Sequence, residues 1–176
     1  MKKILSLVAI TALLFTACEG DQGPPGPPGF NGINADEYAA LSFETPPINF
    51  QYFNDSGLQE VEVSLPYDIL DSDVVLVYRL DEVVTIDGQA TDAWSPLPQN
   101  FFLNDNDVIQ YVFNHTFADV KLLIDGNFDL STLDADFTQN QIFRIVILPA
   151  DAINGLDTSN IDNVMEAVNI TEFKTL

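Results

Sequence analysis

Hydrophobic and polar residues alternate along several short stretches of the chain, and this alternation predicts β-strands. In the stretch 60–65, Val and Leu at the odd positions alternate with Glu and Ser at the even ones. The stretch 48–53 alternates in the same way, with Ile48, Phe50 and Tyr52 on one side. Such a pattern is typical of a strand with one buried and one solvent-exposed face.

Two runs, 74–78 and 145–148, are apolar at nearly every position. A strand of this kind has no solvent-exposed face, so both runs are predicted to be central strands covered on two sides. The remaining strand predictions are a pair at 108–113 and 120–124 with a turn at 114–119, and a strand at 83–86 that ends in an Asp87-Gly88 turn.

Helical periodicity is confined to the C-terminal part of the chain. Apolar residues at 161, 164, 165 and 168 predict a short helix, with Ser159 or Asn160 as its N-cap. A further helical turn is predicted at 130–133, after Asp129. Residues 36–176 are therefore predicted to form one mainly β domain, an antiparallel β-sandwich or partly open barrel with a short C-terminal helix.

The first segment of the chain has the pattern of a secretory signal. Lys2 and Lys3 precede an apolar run from Ile4 to Phe15, and small residues then lead to Cys18, the only cysteine. The run is shorter than the ~20 residues of a membrane-spanning helix. The stretch 15–18 (FTAC) resembles the lipobox of bacterial lipoproteins, although Phe15 stands where Leu is usual. The resemblance implies a signal peptide at 1–17, cleavage before Cys18, acylation of that cysteine and attachment to a membrane through the lipid.

Glycine recurs at every third position after the cysteine, in a collagen-like stalk predicted over 18–34. A collagen triple helix requires this spacing because only glycine fits at its axis, and the prolines between favour the extended polyproline conformation. Two interpretations stay open, a homotrimeric stalk and a stiff monomeric spacer of about 46 Å. The five glycines are Gly20, Gly23, Gly26, Gly29 and Gly32.

Charge narrows the range of partners. The chain has 6 Lys and Arg against 27 Asp and Glu, a net charge of −21. Removal of residues 1–17 takes away Lys2 and Lys3 and gives 4 − 27 = −23. Nucleic acids and anionic lipids are therefore unsuitable partners. Because 47% of the residues are hydrophobic, the chain is predicted to fold compactly despite this charge.

The chain contains few of the residues from which catalytic sites are usually built. His115 is the only histidine, and no Gly-x-Ser-x-Gly sequence occurs. Zinc catalysis normally needs two or three His or Cys ligands. Pairs of carboxylates could serve a glycosidase, but 27 acidic residues produce such pairs by chance. The chain is therefore expected not to be an enzyme.

Calcium is the metal that the acidic loops suit best, since it prefers oxygen ligands. The candidate ligands are Asp105 and Asp107 in the stretch 104–107, with Asp125 and Asp129 in the stretch 125–129. Neither stretch has the spacing of an EF-hand loop. Asp and Asn also favour turns without any metal, which is the alternative interpretation.

Trp94 is the candidate ligand-binding aromatic residue. Together with Phe101 and Phe102 it would form a flat platform for a glycan if exposed, or cover an open end of the sandwich if buried. The buried alternative is favoured, because Trp and Phe dominate protein cores. Arg79 and Arg144 lie in predicted central strands, where each is expected to pair with a carboxylate.

The order of these segments resembles that of the small collagen-like lipoproteins of Bacteroidota, especially flavobacteria. A lipobox cysteine, a few Gly-Pro-Pro triplets and a β-rich domain follow one another, and the stretches 94–99 (WSPLPQ), 128–131 (FDLS) and 143–146 (FRIV) are similar to stretches in that family. The resemblance implies a lipoprotein of the outer membrane or cell surface of a Gram-negative bacterium, and Cys18 is the only functional residue that it carries over. A structural or adhesive role is expected, with a glycan- or calcium-binding module at the sandwich loops as the alternative.

Overall fold

Ten β-strands build the described part of the chain, which in the computed structural model comprises residues 41–150, 152–153 and 155–176. The strands are β1 (Leu41–Glu44), β2 (Gln51–Phe53), β3 (Leu58–Ser64), β4 (Val74–Ile86), β5 (Gln89–Pro96), β6 (Gln99–Phe102), β7 (Val108–His115), β8 (Asp119–Gly126), β9 (Phe143–Leu148) and β10 (Lys174–Thr175). Two short α-helices, α1 (Ala135–Thr138) and α2 (Ile161–Ala167), accompany them, with 3-10 turns at Asn104–Asn106 and Leu130–Thr132.

The strands form two five-stranded sheets. The first has the order β10-β1-β9-β4-β5 and the second the order β2-β3-β8-β7-β6. Neighbouring strands are antiparallel, except that β10 runs parallel to β1 at the edge of the first sheet. The prediction of a mainly β chain is confirmed, and the two sheets are rich in antiparallel pairs. The parallel β1–β10 pair corrects the expectation of a wholly antiparallel arrangement.

One hydrophobic core lies between the two sheets. Strand β8 contributes Val120, Leu122 and Ile124, and β9 contributes Phe143, Ile145 and Ile147, all of them buried. In each strand these residues are two positions apart, so they point to the same face. The alternation that predicted the strands is therefore the pattern that fills this core.

A second, smaller core explains why 74–78 and 145–148 have no polar face. Val146 and Leu148 point away from the first core and pack, together with Tyr78, against Ile161 and Val164 of α2. Asn160 caps this helix by accepting a hydrogen bond from the Asp162 N–H at 2.8 Å. The two predicted central strands, β4 and β9, are thus neighbours covered on both faces, and the predicted C-terminal helix supplies part of the outer cover.

Some predicted elements have different bounds in the structure. The stretch 48–53 is a strand only at Gln51–Phe53, because Ile48 instead forms an isolated bridge with Gln141. The predicted strand at 83–86 is the end of the 13-residue strand β4, which forms a hairpin with β5. The predicted helical turn at 130–133 is the 3-10 turn Leu130–Thr132, whereas α1 and the strands β1, β5, β6 and β10 were not predicted.

The N-terminal predictions fall outside the described residues. They are the signal peptide at 1–17, the acylated Cys18 and the collagen-like tract over 18–34. Within the described residues, no helix is both long enough and apolar enough to cross a membrane.

Two buried tyrosines attach the helical segments to the sheets. The Tyr78 hydroxyl donates to the Thr158 carbonyl at 2.8 Å, next to α2, and the Tyr111 hydroxyl donates to the Phe137 carbonyl of α1 at 2.5 Å. Burial raises the pKa of each tyrosine to about 12, because the interior disfavours the phenolate.

These raised pKa values predict a loss of stability at high pH. Between pH 10 and pH 12 the unfolded chain releases the two phenolic protons while the folded chain retains them, so the free energy of unfolding falls as the pH rises. Below pH 10 the contribution is complete. We expect a loss of about 2 kcal/mol per tyrosine across this range. Urea unfolding at a series of pH values would measure it.

The variants Tyr78→Phe and Tyr111→Phe lack the ionisable hydroxyl, so each should show a shallower decline of stability between pH 10 and pH 12. The exposed Tyr67→Phe is the matched control. Equal slopes in all four proteins would contradict the assignment.

Candidate functional site

Arg79 is a buried cation in the core of a strongly acidic chain. It lies on β4, with only 8% of its surface exposed, and its guanidinium carbon lies 4.8 Å from the ring centroid of Tyr111 and 5.3 Å from that of Phe101. Both aromatic residues belong to the second sheet, whereas Arg79 belongs to the first. The cation–π contacts therefore connect the two sheets.

The charge of Arg79 is neutralised by Asp81. An Nη1 donor of Arg79 lies 2.8 Å from Asp81 Oδ1, and Nε donates to Gln141 Oε1 at 2.8 Å. The same carboxylate accepts from Ser95 Oγ at 2.5 Å and from Gln99 Nε2 at 2.7 and 2.9 Å. These residues come from β4, β5, β6 and the segment before β9, so the network is a junction of four chain segments.

Arg144 lies on the outer face of the first sheet, between two aromatic rings. Its guanidinium carbon is 3.9 Å from the ring centroid of Trp94 and 4.1 Å from that of Phe173. Its Nε donates to Glu44 Oε2 at 2.8 Å, and this is the only hydrogen bond that the guanidinium forms within the described part of the chain. Among the described residues, the Nη donors of Arg144 therefore have no hydrogen-bond partner.

A cleft of about 590 Å³ opens beside Arg144. Arg144, Glu44 and Glu172 place charged groups along it, and Phe173 lies among them. The rest of the lining is mixed: Ile161, Met165 and Ile170 are apolar, Asp162 adds a carboxylate, and Thr171 and Thr175 add hydroxyl groups. Hydrogen-bond donors, carboxylate acceptors and apolar surface thus occur together, which is a combination that suits a polyhydroxylated ligand.

The predicted Trp94 platform is not assembled. Trp94 is half-buried on the outer face of the first sheet, and Arg144 covers one face of its indole ring. Phe101 instead packs beside Tyr111 in the main core, and Phe102 is 82% exposed at the end of β6. The three aromatic residues therefore do not form one surface, and Trp94 does not cover an open end of the sandwich.

The two acidic loops predicted to bind calcium do come together. Asn127 connects them, since its side chain accepts from the Val108 N–H at 2.8 Å and donates to the Asn106 carbonyl at 3.1 Å. The carboxylate of Asp125 accepts a hydrogen bond from the Gly126 N–H, and that of Asp129 accepts one from the Ser131 N–H. The hydrogen bonds from Ser131 hold the pKa of Asp129 below its usual value.

No group of three or more His, Cys, Asp or Glu residues in this part of the chain is arranged to hold a metal ion. Asp107 follows the 3-10 turn Asn104–Asn106, and the side chain of Asp105 lies outside the described residues. Calcium binding at these loops stays a prediction.

The predicted ion pairs of the two arginines are confirmed, as Arg79–Asp81 and Arg144–Glu44. Lys121 forms a third pair, with Glu60 at 3.0 Å. Hydrogen bonds from Ser56 and Lys121 lower the pKa of that glutamate. His115 is exposed at the end of β7, with Nδ1 3.3 Å from the Thr116 carbonyl oxygen.

Sequence reasoning missed the roles of Glu44, Glu172 and Phe173 at the Arg144 cleft. They lie about 30 or 100 residues from Arg144 in sequence, and the pairing of β1 with β9 and β10 brings them together. The only feature of the sequence that pointed to this site was the small number of cationic residues, which makes the partners of each arginine worth identifying.

Comparisons of the chain with known protein families, with curated proteins and with solved structures give no match.

The two arginines are predicted to differ in their effect on stability. Arg79→Ala removes a buried cation and leaves Asp81 without its counter-ion and Gln141 Oε1 without the Nε donor, so the free energy of unfolding should fall by about 2–4 kcal/mol. Arg144→Ala, the matched control, removes a more exposed cation and should cost about 1 kcal/mol. Urea unfolding at pH 7 measures both, and equal losses would contradict the assignment of Arg79 as the inter-sheet link.

Proposed function

We propose that this chain is a non-catalytic lipoprotein of the bacterial cell envelope that displays an acidic β-sandwich domain on a short collagen-like stalk, in a structural or adhesive role. The observation that carries the proposal is the order of its segments. A charged start and an apolar run precede the FTAC stretch, and five glycine triplets follow before the β domain begins. The resemblance to small collagen-like lipoproteins of Bacteroidota supports the same order and an outer-membrane or surface location.

The distribution of charged residues in the domain fits a domain displayed in solvent better than a catalytic one. Arg79, Lys121 and Arg144 are each paired with a carboxylate within the domain. The large excess of acidic residues faces solvent, where like charges keep a domain with 13 Phe residues soluble and repel anionic lipid. An acidic domain of this kind stays off the membrane surface to which its lipid is attached.

Acylation of Cys18 predicts a simple change of partitioning. The wild-type protein, expressed in a Gram-negative host, should incorporate labelled palmitate and enter the detergent phase of a Triton X-114 separation. Cys18→Ala should incorporate no label and remain in the aqueous phase, because it lacks the thiol that carries the lipid. Ser6→Ala, inside the signal peptide but outside the FTAC stretch, is the control and should behave as the wild type. A Cys18→Ala protein that still enters the detergent phase would refute the lipid anchor.

The Arg144 cleft supports a second candidate function, the binding of a neutral glycan. Arg144, Glu44 and Glu172 line the same cleft, so it offers both donors and carboxylate acceptors, and sugar hydroxyls both accept and donate hydrogen bonds. The acidic surroundings disfavour an anionic ligand. Phe173 offers an aromatic surface next to these polar groups.

A variant of the cleft tests this second function. If a neutral oligosaccharide binds there, Arg144→Ala should weaken its binding at least tenfold, through loss of charge-assisted hydrogen bonds worth about 1.5–3 kcal/mol. Lys121→Ala removes the same charge from the other sheet and should leave the affinity unchanged. Isothermal titration calorimetry with a panel of neutral oligosaccharides measures both. Equal affinities for the two variants would exclude the cleft as the binding site.

A further inference from the structure

Three large apolar side chains are exposed together at one end of the domain. Tyr67, Leu70 and Phe117 are 56%, 41% and 58% exposed, and we call them the loop-end patch. The first two lie in the β3–β4 loop and the third in the β7–β8 turn. Exposed apolar residues gathered in this way mark contact surfaces, whereas single ones are ordinary.

The patch is held in place by backbone hydrogen bonds. The Ile69 N–H donates to the Phe117 carbonyl and the Leu65 N–H to the Ala118 carbonyl, each at 2.8 Å. Ile69 is buried and anchors the β3–β4 loop in the main core. Asp73 Oδ2 accepts from the Leu70 N–H at 2.9 Å. The patch is therefore a preformed surface, and little ordering entropy is lost when it is covered.

The loop-end patch lies at the end of the domain where β1 begins. Leu41 pairs with Ile147, and Val74 at the start of β4 pairs with the adjacent Leu148. The starts of β1 and β4 are thus separated by two strand spacings, about 10 Å. The patch residues of the β3–β4 loop immediately precede β4. The chain therefore enters the domain close to the patch.

Charge limits what can cover the patch. Asp68 and Asp71 are exposed beside it, and neither the stretch 65–73 nor the stretch 116–118 contains Lys or Arg. Repulsion from anionic headgroups disfavours an anionic lipid surface. The remaining occupants are a partner protein with a basic rim and a second copy of this chain.

The recurrence of glycine at every third residue favours another copy of the chain as the occupant of the loop-end patch. A triple helix requires three chains, and the last glycine of the tract, Gly32, is nine residues before Leu41. Nine residues span at most about 32 Å. In a trimeric stalk, each of the three domains would therefore begin within this reach of the stalk end, which is short enough to permit contact between them.

We propose that the loop-end patch is the contact through which copies of this chain associate, so that the domains support a homotrimeric stalk. The inference rests on the collagen-like stalk of the proposed function. Each copy offers on the order of 300 Å² of patch surface, since an aromatic side chain carries about 150–250 Å² and roughly half of each is exposed. Stable interfaces bury about 800 Å² per partner, so the patch alone gives weak association. The tract adds the missing stability by raising the effective concentration of the domains to about the millimolar range.

Sedimentation velocity on residues 19–176, the proposed mature chain without its acylated cysteine, tests the inference. The wild type should sediment as a trimer, and the double variant Tyr67→Ser/Phe117→Ser should associate at least tenfold more weakly. Phe102→Ser is the matched control, because it removes an aromatic residue that is 82% exposed outside the patch, and it should behave as the wild type. Circular dichroism on each variant verifies that the domain is folded.

Salt distinguishes the two occupants. Contact between acidic copies is opposed by repulsion, so the trimer should be tighter in about 500 mM NaCl than in about 50 mM NaCl. A wild-type chain that remains monomeric at about 100 µM in both solutions overturns the proposal and leaves a basic partner protein as the occupant. Such a result leaves the lipid anchor intact, because the palmitate label on Cys18 is measured separately.

A third variant separates the patch from the stalk. Gly26→Val cannot fit at the axis of a triple helix, so it should also weaken the trimer. If Gly26→Val abolishes association while the Tyr67→Ser/Phe117→Ser variant is as trimeric as the wild type, the tract alone holds the copies together. That outcome overturns the patch as a contact.

Discussion

The arrangement of the two sheets depends on a single buried cation. Arg79 projects from the first sheet into the main core, where its guanidinium meets Phe101 and Tyr111 of the second sheet and the carboxylate of Asp81. A buried charge is costly unless its neighbours compensate it, so these contacts only compensate in one relative placement of the sheets. Hydrophobic burial drives the sheets together without direction, and the Arg79 network selects how they meet.

The strands that were predictable are those whose pattern is set by burial alone. The alternation around Val61 and Val63 reflects a strand with one buried face. The fully apolar stretch 145–148 reflects a strand buried on both faces. Strand β10 escaped prediction because Lys174 and Thr175 are exposed, and only their pairing with β1 makes them a strand. Ile48 shows the opposite failure, since a correct alternation was overridden by its bridge to Gln141. The local hydrophobic pattern indicates which faces of a strand are buried, but it does not indicate which strand pairs with it.

The candidate sites were harder to predict for the same reason. That Arg79 and Arg144 would find carboxylates followed from the shortage of cations in the chain, but the partner Glu44 depends on the pairing of β1 with β9, which places it opposite Arg144. Trp94 was recognisable as a special residue, yet its covering by Arg144 is a contact on the outer face of the sheet between β5 and β9, the two strands that flank β4. A ligand site is a set of residues from distant segments. A single sequence can indicate which residues are candidates, but it does not show which of them lie together in the fold.

The position of β1 has a mechanical consequence. The strand is hydrogen-bonded on both sides, to β9 along its whole length and to β10 at its end, and Ser42 Oγ and the Glu44 carbonyl add bonds to the C-terminal segment. A protein held at its N-terminus transmits any drag on the domain through this strand. A pull along the strand axis loads these hydrogen bonds in shear, so that they share the force instead of opening one after another. The first strand of the described domain is thereby one that resists being peeled from the sheet.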